Sequence, residues 1–333
     1  MMRRWMFWVG VLISVVLLYF SLRGLQLESV WQSLRGANLL WLLPGIVTYF
    51  IAVAVRTWRW SYLLRPAKHI SFGSLYETVV IGYMGNNVYP ARAGELVRAY
   101  VLRRNEGVPI AFSLATILLE RIIDGLVMVA FVLIGLPNVT NLPAAAHNIV
   151  LIAMVAFVAA VAVFFWMALA PNMADRIAHA IITRVIPQRF QTPLLNFVNR
   201  FVQGAHSLSR PLDLFLIVFS TVLAWLLETV KYWFVMHAFA FDLTFVDLML
   251  VNGVANLFTI IPSGPGYVGT YETAGIGILT SLGVQQGLAT AYTLVLHAVL
   301  WLPVTLLGAF FMLREGLKWA DFHRAEESVS AAK

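Results

Sequence analysis

Apolar runs of about twenty residues, separated by short basic or Gly/Pro-rich stretches, set the rhythm of this chain. A helix rises about 1.5 Å per residue, so about 20 apolar residues cross the hydrocarbon core of a bilayer. Residues 5–22, 38–55, 109–136, 149–169, 212–239 and 289–313 each form such a run. They predict about six spanning helices and an all-α, polytopic helical membrane protein. The first run follows Met1-Met2-Arg3-Arg4. It exceeds a signal-peptide core in length, and Ser21-Leu22-Arg23 is a poor cleavage site, so it reads as a retained span.

Two stretches break the rhythm. Residues 71–104 lie between basic clusters, contain a short Gly/Asn-rich apolar segment and break at Pro90 and Gly94. Residues 245–283 carry no Lys or Arg and break at Pro262, Pro265, Gly266 and Gly269. Each reads as a re-entrant pair of broken helices, a form tolerated at membrane depth when it is buried in protein or lines water. The two breaks sit at corresponding places in two segments, 38–136 and 212–313, whose spans run in opposite senses. This predicts one transmembrane domain over residues 1–333, built as an inverted repeat, the arrangement of many secondary transporters. The loop 171–211 is expected to carry a surface amphipathic helix marked by Arg184, Phe190, Leu194, Phe197, Val198 and Phe201.

Composition agrees. Hydrophobic residues make up 60% of the 333 and charged residues 12%, against about 25% charged in soluble domains. The mean hydropathy is +0.81. The continuous apolar runs do not fit the alternating strands of an outer-membrane barrel. There are no cysteines, which removes disulfides, thiolate metal sites and cysteine nucleophiles. The net charge of +7 would suit nucleic acid, but its distribution points to topology instead. With the N-terminus in the cytoplasm, nearly all Lys and Arg flank the cytoplasmic ends of spans, Arg56, Arg59, Arg65 and Lys68 among them, and only Arg23 and Arg35 fall outside. The chain is thus expected in a prokaryotic plasma (inner) membrane, with both termini cytoplasmic.

The remaining charges lie inside the apolar segments, where each costs about 2.5–3.5 kcal/mol unless it is paired or hydrated. Arg92 and Arg98 flank the first break, where a helix beginning near Gly94 would favour an anion and an arginine fork would suit phosphate. Asn86, Asn87, Glu95, Lys231 and Glu272 complete the candidate substrate site. Glu120 and Asp124 are four apart on one helix face, so they would repel in low dielectric and one should hold its proton near neutrality, the alternative being an ion-pair network with Arg92, Arg98 or Lys231. With Glu228 they are candidates for proton or headgroup coupling, while Arg121 reads as a structural ion-pair partner. Glu228 and Lys231, three apart, could pair along their helix. His237 and His297 read as packing residues. Gly264-Pro265-Gly266-Tyr267-Val268-Gly269 lacks the Lys and Ser/Thr of a nucleotide loop. No metal-ligand spacing or Ser/His/Asp arrangement stands out, so no cofactor, metal or catalytic residue is assigned.

Asn86-Asn87-x-x-Pro90-x-Arg92-x-Gly94-Glu95-x-x-Arg98, Glu120-Arg121-x-x-Asp124, and the run from Pro262 to Glu272 resemble the lysylphosphatidylglycerol synthase transmembrane-region, or flippase-like, family. The resemblance covers about residues 40–313. In two-part members it implies a membrane domain that moves an aminoacylated phospholipid, joined to a soluble aminoacyltransferase. The sequence ends at Lys333 without that second part, so lipid handling is implied more directly than any one lipid. The expected function is flippase- or scramblase-like translocation of a phosphate-bearing, possibly aminoacylated, phospholipid or polyprenyl-type lipid. The expected partners are lipids with anionic or zwitterionic headgroups, and a separate soluble transferase is an alternative partner. An intramembrane enzyme on lipid-linked substrates is the other alternative, and nucleic acid is not expected.

Overall fold

The computed structural model describes residues 4–89, 94–139, 155–159, 161–163, 166, 170–185, 187–188, 191–192, 195, 199 and 211–317. Among these the secondary structure is helical, with no strand. In chain order the helices are α1 (Arg4–Leu22), α2 (Leu27–Gly36), α3 (Leu42–Leu64), α4 (Phe72–Val88), α5 (Gly94–Glu106), α6 (Ile110–Gly135), α7 (Pro171–Val185), α8 (Pro211–Met236), α9 (Phe245–Phe258), α10 (Thr270–Ser281) and α11 (Gln286–Arg314).

Among the described residues, three spans are long and apolar enough to cross a membrane: Leu39–Leu64, Pro211–Met236 and Gln286–Arg314. Their outer faces carry apolar residues at helical spacing, such as Leu43, Val47 and Ile51 on α3 and Leu302, Leu306 and Phe310 on α11, all exposed. Such stripes are sites for acyl chains. The 26-residue α6 has the length of a span but carries Glu120, Arg121 and Asp124. The segment from Trp8 to Gly36 bends by 86° between α1 and α2. The short helix α2 was not expected from the hydropathy pattern. The expected fourth span, 149–169, and the later half of the loop 171–211 lie largely outside the described residues; α7 is the part of that loop with a continuous helix.

The second predicted span is longer than expected. It continues past Val55 to Leu64, carrying Arg56 and Arg59 into the interior at 7% and 1% exposure. The expectation that these arginines mark a cytoplasmic flank is therefore corrected. Partners on other helices take up their charge, and a hydropathy window does not register those partners.

Both interruptions are helix–break–helix units. Ser71 caps α4 by accepting the Ser74 N–H, and Thr244 with Asp247 forms a capping box on α9. α4 and α5 meet so closely that a Cβ on Gly94 would lie 2.0 Å from the Gly82 carbonyl oxygen and 2.4 Å from the Asn86 nitrogen. Gly94→Ala is accordingly expected to destabilise by about 1–3 kcal/mol through overpacking, measured as a lower midpoint of thermal unfolding in detergent. A wild-type midpoint would contradict this packing.

The helices fall into two sets of four that contact one another in matching order. α3 packs antiparallel on α8: Gly45 lies beside Val235, Arg56 meets Glu228, and Arg65 meets Asp213. α4 packs antiparallel on α11, where Glu77 pairs with Arg314 and Asn87 bonds to Thr305. The counterpart contact sets α9 antiparallel on α6, with Gly253 against Met128 and Asn138 bonded to Asp247. Exchanging α3, α4, α5 and α6 with α8, α9, α10 and α11 leaves this list of contacts unchanged. Among the described residues the two largest of four apolar clusters lie on either side of these pairs. One gathers around Trp60, Leu75, Ile117 and Ile217, the other around Tyr232, Leu248, Leu279 and Tyr292. In a bilayer the stabilisation comes from van der Waals packing, since lipid is as apolar as leucine.

Candidate functional site

Four helices aim charge at one place. α3 contributes Arg56 and Arg59, α5 Arg98, α6 Glu120, Arg121 and Asp124, and α8 Glu228 and Lys231. Apart from Arg121, each of these side chains is no more than 9% exposed. Helical spacing explains the convergence. Arg56 and Arg59 are three apart, Glu120 and Asp124 four apart, and Glu228 and Lys231 three apart, so each pair shares a face.

Arg59 is the hub. Its Nη1 donates to Asp124 Oδ1 at 2.6 Å and to Thr221 Oγ1 at 2.8 Å, and its Nε and Nη2 donate to Glu120 Oε1 at 3.3 and 3.2 Å. Arg98 donates to the other Glu120 oxygen at 2.8 Å while its guanidinium lies 3.5 Å from the Trp60 ring centre. Asp124 also accepts from Trp225 Nε1 at 3.0 Å and pairs with Arg121 at 3.2 Å. The repulsion expected between Glu120 and Asp124 is thus relieved by a guanidinium held between them. A second cluster adjoins the first across Trp225. Arg56 donates to Glu228 at 2.5 Å and stacks on Trp225, and Lys231 bonds to the other Glu228 oxygen and lies 4.8 Å from the Tyr49 ring centre.

Between the clusters opens a cavity of about 110 Å³. Arg56, Arg121, Asn86 and Asn87 line it with Asp124, Glu228, Tyr49, Tyr83 and Trp225. Among the described residues, Arg98 Nε, Arg121 Nε and Asn86 Oδ1 are buried without a hydrogen-bond partner. Glu95 stands 3.9 Å from Arg121 Nε at the first break. Among the described residues, Arg56, Arg59, Arg98, Arg121 and Lys231 outnumber Glu95, Glu120, Asp124 and Glu228 by one. No group of three His, Cys, Asp or Glu there could hold a metal ion.

The sequence-predicted residues therefore divide. Asn86, Asn87, Glu95, Arg98, Glu120, Arg121, Asp124, Glu228 and Lys231 come together in or around the cavity. Arg92 and Pro90 lie outside the described residues. Glu272 joins the second break instead. Its Oε2 accepts the Gly269 N–H at 2.7 Å, its Oε1 bonds to His297 Nδ1, and His297 Nε2 bonds to the Gly266 carbonyl at 2.8 Å. Gly266 and Gly269 hold φ of +66° and +92°, which glycine adopts without strain. Ser14 on α1 ties this break down, donating to the Val268 carbonyl at 2.6 Å and accepting from the Gly264 N–H at 2.9 Å. Asn87 links the breaks: it donates to Trp301 O and Thr305 Oγ1, and Trp301 Nε1 donates to Asn87 O at 3.3 Å.

Sequence reading missed Arg56 and Arg59, taken as a basic flank, and His297, taken as packing. A signal for the arginines was present. Val55-Arg56-Thr57-Trp58-Arg59-Trp60-Ser61-Tyr62-Leu63-Leu64 contains no Gly, Pro or Asn and returns to aromatic and apolar residues after each arginine.

Residues 7–308 match the family described as the lysylphosphatidylglycerol synthase TM region. The chain belongs to this family. With its apolar helices, that makes it an integral membrane protein. It is 25% identical to a UPF0104 membrane protein of Methanothermobacter thermautotrophicus over 90% of each chain. It is 23% identical to a UPF0104 membrane protein of Pyrococcus horikoshii, over 92% of this chain and 95% of that protein. It is also similar to glycosyltransferase AglD of Haloferax volcanii, at 26% identity over 87% of this chain but 51% of that protein. No solved structure matches it at a comparable level.

Proposed function

We propose that this member of the lysylphosphatidylglycerol synthase TM family translocates a phosphate-bearing lipid across the inner membrane, with its termini in the cytoplasm. The observation that carries the reading is the cavity lined by Arg56 and Arg121 beside Asp124 and Glu228, at the centre of a described charged cluster that holds one more cation than carboxylate. Surplus positive charge at membrane depth calls for an anion, and an arginine fork fits phosphate oxygens. The two matching helix sets, joined by antiparallel pairs, support an inverted repeat with its site at the repeat interface. In that scheme α4–α5 and α9–α10 are re-entrant hairpins and the cavity is the headgroup station. Arg92 is a phosphate candidate from its sequence alone, beside Gly94 and Glu95.

The test is mass spectrometry of lipids retained through purification, comparing wild type with Arg121→Gln and Arg92→Ala. One phosphate-bearing class enriched in wild type and lost in the variants is the expected result. The same bulk lipid in all three would remove the phosphate assignment. It would favour a second reading, a membrane partner of a separate lipid-modifying transferase. The half-length match to glycosyltransferase AglD supports that alternative, and co-purification of a soluble transferase would decide for it.

A further inference from the structure

We infer that His297 and Glu272 form a proton-binding site whose single shared proton latches the second helix break. The argument starts from donors and acceptors. His297 Nε2 bonds to the Gly266 carbonyl, which can only accept, so Nε2 carries a hydrogen. His297 Nδ1 bonds to Glu272 Oε1. A histidine nitrogen and a carboxyl oxygen share a hydrogen bond only with a proton between them. Either His297 is a cation donating to the carboxylate, or neutral His297 accepts from a protonated Glu272. Both arrangements hold the same one proton beyond Nε2–H, and the pair is neutral overall. When that proton leaves, the neutral imidazole has one N–H for two acceptors, so either its Glu272 or its Gly266 contact sets lone pair against lone pair and turns repulsive.

The surroundings make this pair the exchangeable one. Glu120, Asp124 and Glu228 are each bonded to arginine or lysine. In the described ion pairs, neither Glu272 nor His297 meets a lysine or arginine. The titratable group packed beside them is Tyr271, its ring 4.8 Å from the imidazole and its hydroxyl bonded to Tyr232. Ser14 on α1 and Trp301 on α11 carry no titrating charge. Histidine is the side chain whose ordinary range spans neutrality.

The latch has something to move. Glu272 Oε2 holds the Gly269 N–H at the start of α10, and His297 holds Gly266, so the two glycines of the break with positive φ hang on one pair. A Cβ on Gly266 would lie 2.5 Å from Trp301 Nε1, and Trp301 bonds to Asn87 on the first hairpin. Release of the second break therefore reaches a residue that lines the cavity. Use of the proton to drive transport rests on the transport reading; the latch itself does not.

The test reads conformation rather than transport. The chain has no cysteine, so spin labels go on Val268→Cys at the break and Leu306→Cys on α11, both exposed. Their distance distribution in liposomes is measured from about pH 5 to about pH 10, either side of the ordinary histidine range. Wild type is expected to give a single narrow distance at low pH and a broader or longer one at high pH. Glu272→Gln mimics the protonated acid, since its amide can donate to Nδ1 while its oxygen accepts from Gly269, and is expected to stay narrow throughout. A wild-type distance unchanged across the range would overturn the proposal, and so would a Glu272→Gln protein that titrates like wild type. Loss of transport with the pH response intact would count against the transport reading alone.

Discussion

Arg59→Met is expected to lower stability by about 3–5 kcal/mol, the usual cost of removing one partner from a buried ion pair. Arg59 is 1% exposed and bonds to both Glu120 and Asp124. Without it two carboxylates four residues apart face each other in low dielectric. Arg98 and Arg121 remain to hold one oxygen of each, so the loss is large but bounded. Arg59→Lys keeps the charge but loses the fork that reaches both acids and Thr221, and should fall in between. Adding Glu120→Gln and Asp124→Asn to Arg59→Met removes the stranded charges and should recover part of the loss. The readout is the midpoint of denaturant or thermal unfolding in a fixed detergent. A wild-type midpoint for Arg59→Met would mean that the hub is not formed.

Arg56→Gln is expected to separate function from folding. Its partner Glu228 keeps Lys231 as counter-ion, so the fold should stand. The cavity, however, loses one of its two lining arginines. A hydrogen bond to a charged group is worth about 1.5–3 kcal/mol, so headgroup affinity should fall by about 10- to 100-fold. Translocation in reconstituted vesicles should slow to match, with little change in unfolding midpoint. Normal translocation by Arg56→Gln would take the cavity out of the transport path.

Much of the architecture was legible because bilayer thickness and helical rise fix the length of an apolar run. The ends of α6, α8 and α11 fall within a few residues of the runs that predicted them. The helix–break–helix units were legible from the clustered Pro90 and Gly94 and from the Pro/Gly run Pro262 to Gly269, whereas the lone Pro303 sits inside the continuous helix α11. The centre of the site was not. Arg56 and Arg59 follow an apolar run, the pattern of a cytoplasmic flank, and their partners lie between 61 and 172 residues away in sequence. No local pattern encodes such pairings. His297 was hidden for the same reason, its acid being on another helix and its carbonyl in a loop. Glu120 and Asp124 were found by spacing, yet the guanidinium that reconciles them had to come from the three-dimensional fold.

The most direct measurement is lipid translocation by the wild-type protein in sealed vesicles, using fluorescent phosphate-bearing lipids and an impermeant quencher, with and without a pH gradient. The account predicts that label in the inner leaflet becomes accessible faster than in protein-free vesicles, for at least one phosphate headgroup class, and that Arg56→Gln suppresses the gain. Rates equal to those of protein-free vesicles for every phosphate-bearing lipid and either gradient would contradict it.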